Sequence, residues 1–431
     1  MGFSLKDINL SAILVLLGIF LELMVLTWGR HEEHYLLLPV FWVSGGILAS
    51  IAAVFYSFKR SEINKAIPTE VPNYFFWIFV ILAILVFAKI SVVFFNHPAD
   101  PMQSDVVPTL QFMTKRLVQG ESPYQVVEFP GWSFQPGYLT MQFLPFALAE
   151  LLKIDYRVLA FIAFLIMIAI VLKKTNQTPD ITLELMWNIF KIVLPFVSIY
   201  LIIRYHIAIF AHSVELLDVA YYLLLAYSLF SKSVYLRSFA IAVCVLSRYG
   251  ILLWLPAYAL IYYWEEGWHK TLKLAGIVVA LIVVLYVLPF MTKDPFLFFN
   301  SLKNYDQMAE HLWSSVPEWY QHIGKPYTLA QGLGFAIYFL DFWDGTILEK
   351  ISAIKMVHIV LSLSITMMTI IVYYFKKGKI KDTNLFLLGS MSLYLTIFYN
   401  FVFAPYSYLF IVPFFVLFVI LYKIPIKVQN G

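Results

Sequence analysis

The chain has 431 residues, 61% of them hydrophobic and 13% charged, with a mean hydropathy of +0.80. Soluble domains are about 45–50% apolar, so composition excludes an ordinary soluble protein and points to an all-α, polytopic membrane protein. The net charge of +4 comes from lysines in short loops and gives no sign of a nucleic-acid partner, and a lone cysteine, Cys244, excludes an internal disulfide.

The first apolar run, 8–28, is long enough to span and lacks a small-residue cleavage site, so it reads as a retained span rather than a signal peptide. Further runs of spanning length lie at 35–57, 74–95, 182–203, 272–290, 353–375, 384–402 and 406–422. Shorter runs lie at 138–152, 157–172, 214–230, 235–249, 251–263 and 329–345. Basic loops sort them by side. Lys376, Lys377, Lys379 and Lys381 are the strongest cytoplasmic signal, joined by Lys59, Arg60 and Lys65, by Lys173 and Lys174, by Lys232 and Arg237, by Lys270 and Lys273, and by Lys423 and Lys427.

All these loops share one side only if 138–152 and 329–345 do not cross. The 138–152 run follows Pro136-Gly137 and contains Pro145, as a re-entrant or interfacial helix would. About twelve spans follow, with both termini cytoplasmic and the long loops 96–156 and 291–352 on the extracytoplasmic side. If every run crossed instead, Lys173-Lys174 or the central loop would change sides. The chain divides into two N-terminal spans (1–73), a core (74–290) holding the first outer loop, a second outer loop (291–352) and a C-terminal segment (353–431).

The central loop carries the first polar cluster. Ser104 or Asp105 can cap a helix running to Gln119, with Pro108 in its first turn and Gly120 as its stop. Val106, Leu110, Met113 and Leu117 form one apolar face, so the helix is amphipathic and suits the membrane surface. The N-terminal position favours an ionised Asp105, fitting either a helix cap or a base that takes a proton from a hydroxyl. Asp100 is the alternative base.

Asp105, the helix, Gly120-Glu-Ser-Pro-Tyr124, then Phe134-Gln-Pro-Gly-Tyr138 and a Leu144-Pro145 helix together resemble the first outer loop of GT-C glycosyltransferases. The likeness is to the mannosyltransferase-like branch that uses polyprenyl-phosphate sugars. It is close over 74–175, general over 182–290 and absent from the first two spans. Gln135-Pro136-Gly137-Tyr138 departs from the family's Pro-Pro pair. The resemblance implies a catalytic aspartate at Asp105, a polyprenyl-phosphate sugar donor, inversion at the anomeric carbon, a glycan, lipid or protein acceptor, and a juxtamembrane helix after the Pro motif. Mannose or another hexose is the sugar it implies.

Arg204, His206, His212, Glu215 and Asp218 cluster around one outer turn, and Arg248 ends the 235–249 run. Ionisable groups at membrane depth are paired or functional. Arg204 or Arg248 could pair with Glu215 or Asp218; alternatively Arg204, His206 and Arg248 bind the lipid phosphate. Tyr124, Glu215 and Asp218 are then candidates for sugar or acceptor. Lys89 reads as a snorkelling or paired lysine and Glu22 as structural.

The second outer loop mixes aromatics with charge, and Trp313, Trp319 and His322 are its sugar-site candidates; an aromatic belt is the alternative. Asp341-Phe-Trp-Asp344 is too widely spaced for D-x-D, and no nucleotide-binding Gly-rich loop is present. Arg30-His-Glu-Glu-His34 could bind a metal or be a solvated hairpin, so no metal site is assigned; a divalent metal is compatible with the pattern but has no support in it, and no cofactor is assigned. The rivals to a glycosyltransferase are a polymerase or ligase of lipid-linked glycans, which would lean on arginines and a histidine in an outer loop, and a flippase or transporter, which should show two similar halves.

Overall fold

The computed structural model describes residues 9–28, 35–59, 73–130, 132–173 and 183–426. They are helical apart from one antiparallel hairpin, β1 (Val127–Phe129) with β2 (Trp132–Phe134), in which Val127 pairs with Phe134. Arg30–His34 and the basic residues Arg60, Lys65, Lys174 and Lys427 lie outside the described residues.

The chain opens with α1 (Leu10–Trp28) and α2 (Leu37–Lys59), followed by α3 (Asn73–Asn96) and the amphipathic α4 (Val106–Val118). After the β hairpin come two short helices, α5 (Thr140–Phe143) and α6 (Phe146–Leu152), then α7 (Tyr156–Lys173), α8 (Leu183–Tyr205) and α9 (Ala208–Ala211). Next are α10 (Leu216–Ser228), α11 (Val234–Ser247), α12 (Leu255–Glu266) and α13 (Trp268–Ile282); α13 runs into a π-helical stretch, Val283–Met291, that contains Pro289. The last part holds α14 (Leu297–Ser314), α15 (Tyr327–Ala330), α16 (Ala336–Phe342), α17 (Ile347–Lys376), α18 (Thr383–Asn400) and α19 (Ile411–Lys423).

Among the described residues, six helices are long and apolar enough to cross a membrane: Leu10–Trp28, Leu37–Lys59, Tyr74–Asn96, Leu185–Tyr205, Trp268–Met291 and Ile347–Lys376. A bilayer needs about 20 residues of straight helix. The expected runs at 214–230, 235–249 and 251–263 fold as α10, α11 and α12, of 13, 14 and 12 residues. The run at 138–152 becomes α5 and α6, bent by 114° from α7. Its end is set by Lys153, whose left-handed backbone (φ 56°) stops the helix. The run at 329–345 breaks into α15 and α16, with the Phe335 amide donating to Asn400 O at 2.7 Å.

The centre of the fold is α19. Every residue from Ile411 to Tyr422 is buried, as expected of a helix that is apolar all round. It packs on α1, α2, α7, α8, α10 and α18. The N-terminal pair α1–α2 therefore shares its core with the C-terminal helices, and the Asn9 amide donates to Ile426 O at 2.7 Å. Glycines allow the close contacts of α2 with α1 and α18: a Cβ on Gly18 would meet Gly45 O at 2.5 Å, and one on Gly46 would meet Thr396 Oγ1 of α18 at 2.2 Å. Outward-facing apolar stripes lie on α3 (Phe76, Ile81, Ile84, Leu85) and α17 (Met356, Val360, Leu363, Met367), as lipid contact requires.

Candidate functional site

The end of α3, the start of α4 and the α9–α10 turn meet at one edge of the bundle. Asp100 builds the loop between α3 and α4: its Oδ1 accepts from the Met102 amide at 2.9 Å, and its carbonyl accepts from the Gln103 and Ser104 amides at 3.0 Å each. Ser104 Oγ then donates to His212 O at 3.0 Å, tying this loop to the α9–α10 turn. The knot below is Arg157, whose side chain is 1% exposed. Its guanidinium donates to the carbonyls of His97 (2.7 Å), Ala211 (2.6 Å) and Phe94 (3.1 Å), and pairs with Asp155 at 2.5 Å. One buried cation thus fixes α3, α7 and α9 together; its planar fork suits several acceptors at once.

Asp105 sits at the N-cap of α4, yet its side chain makes no capping hydrogen bond. The backbone is already helical there (φ −79°, ψ −14°), a geometry that directs the side chain away from the free amides. The main chain is still satisfied, because Asp105 O accepts from the Thr109 amide at 2.9 Å. Burial raises the Asp105 carboxyl above its ordinary 3.8, with a smaller opposing effect from its own backbone amide. α4 keeps its apolar face inward through Val106, Leu110 and Met113, and Arg116 reaches the carbonyls of Gln125 (2.7 Å) and Val126 (3.0 Å), bracing the turn after Gly120.

On the other side of the α9–α10 turn lies a compact charged group. Arg248, at the end of α11, hydrogen-bonds Glu215 Oε1 through Nη2 and Asp218 Oδ2 through Nε at 3.2 Å. Gln142 of α5 donates to the same Asp218 oxygen at 2.6 Å. Glu215 Oε2 and Asp218 Oδ1 are buried and receive no donor from the described residues. The Arg248 side chain is 27% exposed against 1% for Glu215 and 2% for Asp218, so the group opens to the surroundings on its arginine side. Tyr408 lies within electrostatic reach of both Glu215 and Asp105, and Tyr399 within reach of Arg248, Asp218 and Glu215.

With Asp100 and Asp155 engaged by their own turn and by Arg157, the carboxyls of Asp105, Glu215 and Asp218 and the guanidinium of Arg248 are the groups left to act. Such a set can accept hydrogen bonds from a hydroxyl-rich ligand and a proton from one of its hydroxyls. Arg248 is already matched by two carboxylates, which leaves little positive charge for a phosphate.

Other sequence-derived candidates stand elsewhere. Arg204 is exposed and lies over the Tyr205 ring at 5.7 Å, facing a cleft between α3 and α8. His206 is buried inside the bundle, with Nδ1 at 3.3 Å from Leu26 O and Nε2 at 3.4 Å from Ser407 Oγ. Arg204, His206 and Arg248 thus sit in three different surroundings. Tyr124 is buried, donates to Tyr138 O at 3.0 Å, and packs edge-on against Phe143 and Phe290. Trp313 is buried and its indole donates to Phe403 O at 2.7 Å. His322 is exposed with its ring centroid 5.5 Å from that of Tyr320, while the Trp319 side chain lies outside the described part of the structure. Lys325 pairs with Asp341, so one carboxylate of the Asp341–Asp344 pair is engaged. Among the described residues, no group of three or more His, Cys, Asp or Glu is placed to hold a metal ion.

Gln142, Arg157, Tyr399 and Tyr408 were not legible as parts of this region. Gln142 was a lone amide in an apolar run, and its partner Asp218 is 76 positions away. The only available signal for Arg157 was an arginine at the start of an apolar helix. No family model, no curated protein and no solved structure matches this chain.

Proposed function

We propose that the chain is an integral-membrane glycosyltransferase that moves a hexose, mannose first among them, from a polyprenyl-phosphate donor to an acceptor hydroxyl. In this reading it spans the membrane about twelve times, with both termini cytoplasmic and the reaction on the extracytoplasmic face. The short helices α10, α11 and α12 cross as part of the buried bundle. The reading rests on the first-loop pattern, which resembles the GT-C glycosyltransferases, and on one structural observation above all: the Asp105 carboxyl is half-buried at the start of α4 and does not cap it.

The step is a single displacement. Asp105 takes the proton of the acceptor hydroxyl, and that oxygen forms the new bond to the anomeric carbon. The bond from that carbon to the phosphate oxygen breaks, its electron pair leaves with the polyprenyl phosphate, and the anomeric configuration inverts. Sugar hydroxyls approach the charged group from its open arginine side, where Glu215 and Asp218 hold the 27% exposed Arg248 side chain. Arg248 and Gln142 hold those carboxylates in place.

The test is transfer by the purified chain in proteoliposomes supplied with radiolabelled polyprenyl-phosphate mannose, with nucleotide-linked mannose in a parallel reaction. Label is expected in the acceptor fraction from the lipid-linked donor and not from the nucleotide donor. Transfer from the nucleotide donor alone, or from neither across a panel of polyprenyl-phosphate hexoses, contradicts the proposal.

A further inference from the structure

A second feature of this edge is positively charged and separate from the carboxylate group. Between α3 and α8 lies a cavity of about 260 Å³ whose walls include Lys89, Asn96, Tyr200 and Arg204. None of its lining residues is acidic. The aliphatic parts of the wall come from Val92, Val93 and Ile203.

Lys89 is the unusual member. It lies within an apolar 24-residue helix, seven residues before the helix end, or about 10 Å along the axis at 1.5 Å per residue. A lysine at that depth is costly unless it snorkels or finds an anion. Lys89 is exposed, and no described residue pairs with it. Arg204 approaches from α8, with its guanidinium over the Tyr205 ring at 5.7 Å and Tyr200 beside it in the cavity wall. Arg204 lies in the last turn of α8, where lipid headgroups lie, and Lys89 lies about two turns below the end of α3, within reach of the headgroups by snorkelling. An unmatched ammonium, an exposed guanidinium and the aliphatic side chains of Val92, Val93 and Ile203 beside them match a phosphate carried on a lipid chain.

We propose that the Lys89–Arg204 groove binds the phosphate of an anionic membrane lipid, with the acyl or prenyl chain lying along α3 and α8. The inference does not depend on sugar transfer: it rests on the groove's charge and position. Two lipids carry this chemistry, a bulk anionic phospholipid and a polyprenyl phosphate. Through His97, which lines the groove with its ring centroid 6.1 Å from that of His212, the site is contiguous with the turn that holds Ser104 and Asp105.

The experiment reconstitutes the full chain in phosphatidylcholine nanodiscs doped with phosphatidylglycerol, and counts retained phosphatidylglycerol by native mass spectrometry. The wild-type chain is expected to retain it over phosphatidylcholine. The double variant Lys89→Gln/Arg204→Gln is expected to lose that preference roughly thirtyfold, from about one basic-residue contact's worth of attraction at each position. Lys115→Gln, an exposed cation on α4, should leave retention unchanged, and Lys89→Arg should preserve it. If the double variant aggregates, Lys89→Gln alone settles the matter, with a loss of about fivefold. Short-chain polyprenyl phosphate in the same sample then identifies the source: displacement of phosphatidylglycerol assigns the groove to a polyprenyl lipid, and no displacement assigns it to bulk phospholipid. Equal retention by the wild type and the Lys89→Gln variant, or no preference for either anionic lipid, overturns the proposal.

Discussion

Asp105 and Asp100 are five residues apart and chemically alike, yet they are used differently. Asp100 gives its oxygens to the turn it sits in, whereas Asp105 keeps its carboxyl free at the head of α4. Burial raises the Asp105 carboxyl, so its ionised form is the one the fold disfavours. Stability from this group is therefore full below its unfolded-state value and falls as pH rises through its raised folded value. Two outcomes follow. The acid limb of the rate profile should lie above the ordinary 3.8, because the base must be ionised to work. At neutral pH Asp105→Asn should unfold at the same temperature as the wild type or higher, measured by thermal unfolding in detergent. An acid limb at or below 3.8, or a destabilised Asn variant, would argue that the carboxylate is needed for the fold.

Arg157 makes the opposite case. Removing it leaves three buried or half-buried carbonyls without their donor, and Arg157→Met should cost about 3 kcal/mol by the same unfolding measurement, the range for breaking a buried ionic group. Residue-level legibility was uneven for this reason. An aspartate ahead of an amphipathic repeat announces itself, but an arginine whose partners are backbone carbonyls has no sequence partner to find. The same holds for Gln142 and Tyr408, which acquire meaning only when α5 and the 407–410 turn come beside α10.

At the level of elements, hydropathy located the helices well and their ends less well. The interfacial reading of 138–152 came from loop charges and Pro136, Gly137 and Pro145; the chain there forms two short helices bent by 114° from α7 after the left-handed Lys153, a shape that a broken span and a re-entrant segment share. The segment 329–345 broke into two pieces because Gly332 and Gly334 approach Pro405 and Asn400 too closely for a side chain: a Cβ on Gly332 would lie 2.6 Å from Pro405 O, and one on Gly334 2.9 Å from Asn400 O. Small residues also decide the α1–α2–α18 contact, for which hydropathy along the chain carries no signal. Gly46→Val would drive a side chain into Thr396 Oγ1 and crowd the buried Glu22, whose two oxygens receive no donor from the described residues. It is expected to cost about 2 kcal/mol or more through overpacking, while Glu22→Gln, of the same shape, should fold normally. Proteolytic resistance of detergent-solubilised variants distinguishes the two; a Gly46→Val chain as resistant as the wild type would mean that α2 and α18 can separate at little cost.

At the level of the whole molecule, the segments at the two ends of the chain converge on a shared core around α19. That convergence was not legible, since periodicity marks a buried helix but not its neighbours. The proposed topology has its own test. Cys244 is buried, so the native thiol is silent. Met102 is 71% exposed on the loop between α3 and α4, and Lys379 is exposed on the loop between α17 and α18. A membrane-impermeant maleimide should label Met102→Cys in intact cells and Lys379→Cys only after permeabilisation; the reverse pattern would invert the chain.

The proposed transfer turns on Asp105. The decisive measurement is the initial rate of sugar transfer from polyprenyl-phosphate mannose by proteoliposomes holding equal amounts of wild type, Asp105→Asn and Asp100→Asn. Loss of the base should lower the Asp105→Asn rate by about 10²- to 10⁴-fold, while Asp100→Asn stays within about tenfold of wild type. An active Asp105→Asn chain beside an inactive Asp100→Asn chain would contradict the assignment of the base, and wild-type rates from both would contradict an aspartate-driven transfer in this loop altogether.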